Sequence, residues 1–173
     1  IFVHTLALAT IPVQRWTQPS GAQVYLVESP AIPMLDVQID FDAGSRRDPP
    51  EQVGLASMTA DMLDKGVRAS GAAPALDENA LGEAWADLGA QFGAGATADR
   101  MSFSLRSLTD PALLDRAVAL AARQIAEPSY PGAVWMRERQ RLQAALKESY
   151  TRPASVIGRA YAKAVYGQHP YGY

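Results

Sequence analysis

Residues 54–66 read Gly-Leu-Ala-Ser-Met-Thr-Ala-Asp-Met-Leu-Asp-Lys-Gly, and this segment constrains the fold more than any other part of the chain. Its apolar side chains recur at the spacing of one helix face; they are Leu55, Met58, Met62 and Leu63. Gly66 stands where a left-handed residue often ends a helix. The segment therefore predicts a short buried helix. Ser57, Ala60 and Asp61 share one side of it, because positions three and four apart are neighbours on a helix.

A polar corner, Gly-Ser-Arg-Arg-Asp at residues 44–48, precedes this predicted helix. Corner and helix together resemble the zinc segment of the insulinase/pitrilysin-type metallopeptidases, in which Gly-Leu-Ala-His-x-x-Glu-His-Met-Leu-x-Lys-Gly follows a similar corner. In that family the inverted motif His-x-x-Glu-His supplies two zinc ligands and a general base. The resemblance implies that Ser57 and Asp61 stand at the histidine positions and Ala60 at the glutamate position. The residues around these positions match the family segment, whereas the two histidines and the glutamate are all replaced.

The family's third zinc ligand is a glutamate on a later helix. Alignment on the Tyr-Gly segment downstream implies that this position is Ala145, whereas a typical family spacing counted from Asp61 implies Glu138. We expect Ala145, because that alignment keeps Pro153 and the following helix in register. With either alignment, a lone carboxylate would have no histidine partners.

The histidine and cysteine content argues against a zinc site in this chain. There are two histidines, His4 and His169, and no cysteine. A catalytic zinc usually takes three protein ligands, most of them histidine. We therefore expect no metal ligand, no catalytic residue and no cofactor here. The resemblance implies that zinc is held by a homologous partner chain.

Residues 89–97 read Gly-Ala-Gln-Phe-Gly-Ala-Gly-Ala-Thr. They resemble the family's Gly-x-x-Asn-Ala-x-Thr-like segment, a sheet edge that pairs with extended substrate, with Gly93 where asparagine is usual. The resemblance implies that Gly93, Ala94 and Gly95 contact peptide through main-chain hydrogen bonds. An edge strand without a ligand, whose glycines mark a bulge or a close backbone approach, is an equal alternative.

The remaining pattern predicts an α+β fold, with a mainly antiparallel sheet covered by helices on one face. This is also the fold that the resemblance implies, a half-repeat of the kind found in processing peptidase and LuxS. Alternation and turn residues predict strands at residues 13–16, 23–28, 35–42 and 91–108. Apolar periodicity predicts four further helices; they run from Asp77 to Gly89, from Asp110 to about Ile125, over about 133–150 and over 154–166.

Apolar faces are expected to point inward on the last three of these helices. They comprise Leu113, Leu114, Ala117, Val118, Leu120, Ala121 and Ile125 on the first, Trp135, Leu142 and Leu146 on the second, and Val156, Ile157, Ala160, Tyr161, Ala164 and Val165 on the third. The charged run at 137–141 is most simply a solvated helix face. Asp36, Asp40 and Asp42 could hold calcium, but a solvated strand face is the simpler interpretation.

The chain closes on Tyr-Gly-Gln-His-Pro-Tyr-Gly at residues 166–172, which resembles the family's Tyr-Gly-x-His-Pro-Tyr-Gly turn. His169 could serve as a base, since histidine titrates near neutral pH. No nucleophile accompanies it, and proline and glycine favour turns. We therefore predict a turn packed by tyrosines.

Residues 1–12 are predicted to be an N-terminal tail or a first strand, and residues 13–173 a single domain. The resemblance implies that this domain is the N-terminal repeat of a longer protein. Residues 1–10 have the apolar character and small-residue end of a signal-peptide remnant, which favours a periplasmic location. Thirteen arginines against three lysines, with abundant alanine, suggest a bacterial source.

A net charge of −2 gives no electrostatic support for binding nucleic acid or anionic lipid. No apolar run reaches the roughly 18 residues of a membrane span. The leading hypothesis is a non-catalytic subunit of a heterodimeric zinc metallopeptidase, like the silent chains of bacterial pairs and of processing peptidases. It would contribute chamber wall and substrate contacts. The alternatives are a structural protein of a larger complex, and an enzyme with a new site on Asp61, Asp64 and Glu138.

Overall fold

The computed structural model describes residues 12–172, and the chain divides between Pro33 and Met34 into two compact units. The described part of the N-terminal unit is an antiparallel hairpin of β1 (Val13–Thr17) and β2 (Gln23–Val27). Gly21, with φ +88°, lies in its turn, and the predicted hairpin is confirmed. Residues 1–11 lie outside the described residues, so the tail or first strand and the periplasmic location stay predictions.

The second unit is built on three antiparallel strands, β3 (Met34–Phe41), β6 (Gln91–Ala96) and β7 (Met101–Leu108), in the order β3-β7-β6. The single strand expected over residues 91–108 is in fact this β6–β7 pair. A turn at residues 97–100 divides it, and Thr97 Oγ1 accepts hydrogen bonds there from the backbone N–H groups of Asp99 and Arg100.

Five helices accompany the sheet and complete an α+β fold, as predicted. They are α1 (Leu55–Asp61), α2 (Glu78–Asp87), α3 (Pro111–Ala126), α4 (Gly132–Ser149) and α5 (Pro153–Tyr166). A short pair, β4 (Gly66–Val67) and β5 (Leu76–Asp77), precedes α2, and 3₁₀ turns occupy residues 45–47, 50–52, 63–65 and 170–172. Among the residues that the structure describes, no helix is long and apolar enough to cross a membrane.

The core lies between the apolar face of the sheet and the helices α2 and α3. Trp85 of α2 stacks on Phe92 of β6 with ring centroids 5.7 Å apart, and Ala117 and Ala121 of α3 are buried in the same cluster. The opposite face of the sheet is exposed and polar. Each carboxylate of the possible calcium group is paired with arginine there: Asp36 with Arg106, Asp40 with Arg100, and Asp42 with Arg46 and Arg47.

A buried polar group joins α2, α3 and the end of α1. The Gln124 side chain is 1% exposed; its Oε1 accepts a hydrogen bond from Trp85 Nε1 at 2.8 Å, and its Nε2 donates to the Leu63 carbonyl at 3.1 Å. Both bonds are inside the core, where an unpaired polar group is costly. Gln124 therefore positions the segment that follows α1 against α3.

Helix α1 is oriented by the polar corner that precedes it. The buried Asp48 carboxylate accepts hydrogen bonds from the N–H groups of Gly54 at 2.9 Å and Ala56 at 3.1 Å. Gly54 has φ +100°, a conformation that residues with a Cβ rarely adopt. The helix is shorter than predicted, ending at Asp61, and Gly66 is not its cap. Gly66 begins β4 with φ +131°, where a Cβ would lie 2.7 Å from the Leu76 carbonyl oxygen.

The prediction that the apolar faces of α4 and α5 point inward is wrong. On α4, Trp135, Leu142 and Leu146 are 40–52% exposed, and the buried residue of the helix is Glu138. On α5, none of the described residues is buried, and Ile157 and Tyr161 are more than 60% exposed. Periodicity identifies an apolar face but does not say what covers it. On α3 the prediction holds except at Val118, which is 48% exposed.

We expect Asp48→Ala to lower the free energy of unfolding by about 1–2 kcal/mol, the usual cost of losing a helix-capping side chain. Urea denaturation followed by circular dichroism measures this change. Asp115→Ala, which removes an exposed carboxylate from α3, is the matched control and should cost less than about 0.5 kcal/mol. Equal losses in the two variants would contradict the capping role.

We expect Gln124→Met to lower the free energy of unfolding by about 2 kcal/mol, because the Trp85 N–H and the Leu63 carbonyl each lose a buried partner. The same denaturation experiment applies. Gln140→Met on the exposed side of α4 is the control. A stability equal to that of the unmodified chain would show that the network contributes nothing.

Candidate functional site

A cleft of about 300 Å³ opens between α1, β6 and α4, and we call it the α1–α4 cleft. It is lined by Ala60, Asp61, Leu63, Asp64, Lys65, Phe92, Gly93, Ala94, Gln124, Glu138 and Arg141. The end of α1 and the 3₁₀ turn after it form one wall, the edge strand β6 the second and α4 the third. Gln124 of α3 completes the lining, so the residues of the cleft come from four separate parts of the sequence.

Two of the three replaced motif positions line this cleft. Ala60 is buried, with 5% of its surface exposed, and Asp61 is exposed at the cleft. Ser57 lies one turn earlier on α1 and is exposed, but it is not among the lining residues. The side of α1 that carries the family's chemistry thus presents a methyl group and one carboxylate here.

Glu138 is the residue that α4 turns toward this cleft. Only 9% of its side chain is exposed. Arg141 Nε donates a hydrogen bond to Oε2 at 2.7 Å, and Arg137 Nε donates to Oε1 at 3.0 Å. The expectation of a solvated face at residues 137–141 is therefore wrong for Glu138. A charged run also allows one carboxylate to be buried when its neighbours on the helix supply the partners.

The positions of Glu138 and Ala145 distinguish the two alignments for the third ligand. Glu138 lines the same cleft as Asp61, whereas Ala145 is exposed and does not line it. Seven residues separate them, about 10 Å along a helix axis. The geometry therefore favours the spacing counted from Asp61, which we did not prefer from the sequence.

A chain of ion pairs continues from Glu138 to α2 and the turn after α1. An Arg137 Nη donates to Glu78 Oε2 at 2.9 Å, Lys65 Nζ donates to Glu78 Oε1 at 2.8 Å, and Lys65 Nζ lies 3.1 Å from Asp64 Oδ1. Hydrogen bonds from Arg141 and Arg137 lower the pKa of Glu138 below its ordinary value. Hydrogen bonds from Lys65 and Arg137 do the same for Glu78. Both carboxylates are ionised at neutral pH.

These residues do not fit a catalytic zinc. A catalytic zinc usually takes three protein ligands, and α1 carries serine and aspartate at the two histidine positions, of which only Asp61 lines the cleft. Both oxygens of Glu138 already accept arginine hydrogen bonds. Within residues 12–172, no three His, Cys, Asp or Glu side chains are grouped so that they could hold a metal ion.

The cleft does bring together the carboxylates of the new-site alternative, Asp61, Asp64 and Glu138. Acid–base catalysis at neutral pH needs one carboxyl group whose pKa is raised. The pKa of Glu138 is shifted in the opposite direction, and Asp64 is paired with Lys65. The arrangement is that of a network of ion pairs.

The predicted peptide-contacting residues lie on β6, at the border of the described sheet. Gly93 and Ala94 line the α1–α4 cleft, and Gly95 lies on the shallow polar face of the sheet beside Ser102 and Ser104. The register between β6 and β7 is continuous from Gln91 to Ala96, so the glycines do not mark a bulge. A Cβ at Gly93 would lie 2.9 Å from Ser104 Oγ, which explains the small residue there.

His169 lies in the 3₁₀-type closing turn and not among the residues of the cleft. Its ring packs edge-on against Tyr171 at 4.6 Å between centroids and lies 6.3 Å from Tyr166. The Tyr171 hydroxyl donates to Asp99, which fastens the turn to the β6–β7 connection. The turn packed by tyrosines is confirmed.

Sequence reasoning missed Asp48, Gln124 and Arg141 as residues that build this site. Asp48 could have been found from the corner that resembles the family. The spacing counted from Asp61 indicates Glu138, and Arg141 could have been found from its position three residues later on the same helix. Gln124 carried no signal, because a glutamine on an apolar helix face is not distinguished from a solvated one by periodicity.

Comparison with known proteins agrees with this geometry. A family model described as insulinase (peptidase family M16) matches residues 23–173. The structure of a peptidase M16 inactive domain from Pseudomonas fluorescens has a TM-score of 0.85 and 32% identity, covering 93% of this chain and 37% of that one. Pitrilysin has a TM-score of 0.69 and 27% identity, covering 92% of this chain and 16% of that one.

A protease from Helicobacter pylori, at 18% identity and a TM-score of 0.76, shares the fold over 95% of this chain and 38% of its own. The chain therefore spans well under half of each of these proteins. No curated protein matches the sequence. With its family match over residues 23–173 and its 32% identity to a solved domain of that family, the chain belongs to the insulinase family, peptidase family M16.

Proposed function

We propose that this chain is the non-catalytic subunit of a two-chain zinc metallopeptidase. A homologous partner holds the zinc, and this chain contributes chamber wall and contacts to the peptide substrate. The observation that carries the proposal is the α1–α4 cleft. Ala60 and Asp61 of α1 line it at two of the family's motif positions, Ser57 stands at the third one turn earlier, and Glu138 accepts hydrogen bonds from two arginines.

The side chains at the motif positions cannot serve as the general base or as histidine ligands. Hydrolysis by a metallopeptidase needs a group that takes a proton from water and ligands that hold the metal. Ala60 has no proton acceptor, and Ser57 has no imidazole. Glu138 stays ionised in its arginine pairs and does not donate a proton at neutral pH. The chain by itself therefore has no route to peptide cleavage.

The contacts that remain available are those of the backbone. In the described sheet, β6 pairs with β7 on one side, and its other edge has no strand partner. A peptide can add to such an edge through main-chain hydrogen bonds, which do not depend on a particular side chain. Gly93 and Ala94 place this edge at the cleft. This supports peptide contact without cleavage.

Exposed apolar surface on α4 and α5 supports association with other protein surface. Large clustered apolar side chains at a surface are typical of interaction sites. Here they comprise Trp135, Met136, Leu142, Leu146 and Tyr150 on α4, and Val156, Ile157, Tyr161, Val165 and Tyr166 on α5. This surface equally supports the second function, a purely structural or interaction protein of a larger complex on the same fold.

We expect the purified chain to contain no stoichiometric zinc by elemental analysis and to cleave no fluorogenic peptide on its own. Mixing with a homologous chain that carries an intact His-x-x-Glu-His motif should raise the activity of that chain. Hydrolysis by the isolated chain that a chelator blocks would overturn the proposal.

Co-purification from the native source separates the two functions. A zinc-motif partner that is activated on mixing supports the peptidase subunit. Recovery in a membrane complex without peptidase activity, and no activation of any zinc-motif homologue, supports the structural protein instead. A periplasmic location belongs to the same proposal, and cell fractionation tests it.

A further inference from the structure

The positive charge that faces Glu138 comes from the chain itself. We propose that Arg141, together with Arg137, takes the electrostatic place that a metal ion would have at Glu138, so that the α1–α4 cleft is a metal-independent ion-pair site. This inference rests on the proposed non-catalytic function. It adds that arginine side chains supply the positive charge at this site in place of a metal ion.

The geometry leaves no free oxygen on the carboxylate. Arg141 Nε lies 2.7 Å from Oε2 of Glu138, and Arg137 Nε lies 3.0 Å from Oε1. Charge-assisted bonds of this length are among the stronger hydrogen bonds in proteins. A metal ion that approached Glu138 would compete with these hydrogen bonds and would be repelled by the positive charge of the two guanidinium groups.

Arg141 also faces the second carboxylate of the site. Asp61 lines the same cleft, and after Glu138 its charge contributes to raising the pKa of Arg141. Arg141 therefore lines the same cleft as the two acidic residues at positions where the family has zinc ligands, Asp61 on α1 and Glu138 on α4. A bound cation there would have the same electrostatic role toward them.

One of the two arginines also connects α4 to a neighbouring helix. Glu138 is the buried residue of α4, and Arg137 extends the ion pairs to Glu78 on α2. Arg137 and Arg141 are more than half exposed, so solvent partly screens their ion pairs with Glu138. Arg137 thus joins α4 to α2 without a metal.

A partial restoration of the metal site tests the competition between arginine and metal. Zinc titrations by calorimetry, with cobalt absorption as a second readout, compare S57H/D61H, S57H/D61H/R141A and S57H/D61H/R139A. Arg139 is exposed on the same helix, so R139A is a matched change of charge. We expect R141A to tighten zinc binding about fivefold, the upper range for one solvent-accessible ion pair, and R139A to leave it unchanged. Adding E138Q to the R141A variant should abolish the gain.

Equal affinities with and without Arg141, no zinc binding in any variant, or binding unaffected by E138Q would overturn the inference. Circular dichroism confirms that each variant is folded. These outcomes leave the proposed function intact, because that proposal is tested separately, by the zinc content and peptidase activity of the unmodified chain and by co-purification.

A double-mutant cycle in the unmodified background tests the same pair if the histidine variants do not fold. R141A should lower the unfolding midpoint clearly, and E138Q/R141A should lower it by less than the sum of the two single changes. Adding zinc should not raise the unfolding midpoint of R141A or of E138Q/R141A. Additive effects would show that Arg141 and Glu138 act independently and would overturn the inference.

Discussion

The ion pairs of Arg137, with Glu138 on its own helix and with Glu78 on α2, connect α4 to the rest of the site. The helix has little else that is buried, and its largest apolar side chains are exposed in the described chain. A carboxylate with 9% of its side chain exposed needs compensating charge, and Arg141 and Arg137 provide it from the same helix. Through Arg137 the charge continues to Glu78 and Lys65. The cleft depends on this connection, because α4 forms one of its walls.

The placement of α1 does not depend on the side chains at the zinc-motif positions. Its placement depends on Asp48, which accepts the first backbone N–H groups, on Gly54 with its positive φ, and on the buried Met58 and Met62. Ser57 and Asp61 point away from that packing and are exposed. A helix whose buried face carries the packing tolerates changes on its other face. Catalytic residues can therefore be lost here while the fold is retained.

Local signals predicted the elements well. Asp77 and Asp110 each cap the helix that follows, as their sequence positions indicate, and the alternation in β3 and β7 predicted their strands. Boundaries that depend on longer-range contacts were less accurate. Helix α1 ends at Asp61 because the chain turns there toward β4, and the strand over residues 91–108 is divided by a turn. Neither feature follows from periodicity alone.

The sequence by itself determined that the zinc motif is replaced, because the identities of residues 57, 60 and 61 exclude that chemistry in any conformation. It also determined the α+β fold, since helix caps and strand alternation are local properties of the chain. Only the tertiary structure decided which carboxylate on α4 faces the site, and that Arg141 accompanies it. Glu138 is 77 residues from Asp61, and a charged run on a helix is the same pattern whether one member is buried or all are solvated. The placement of α4 across the cleft from α1 and β6 makes that choice.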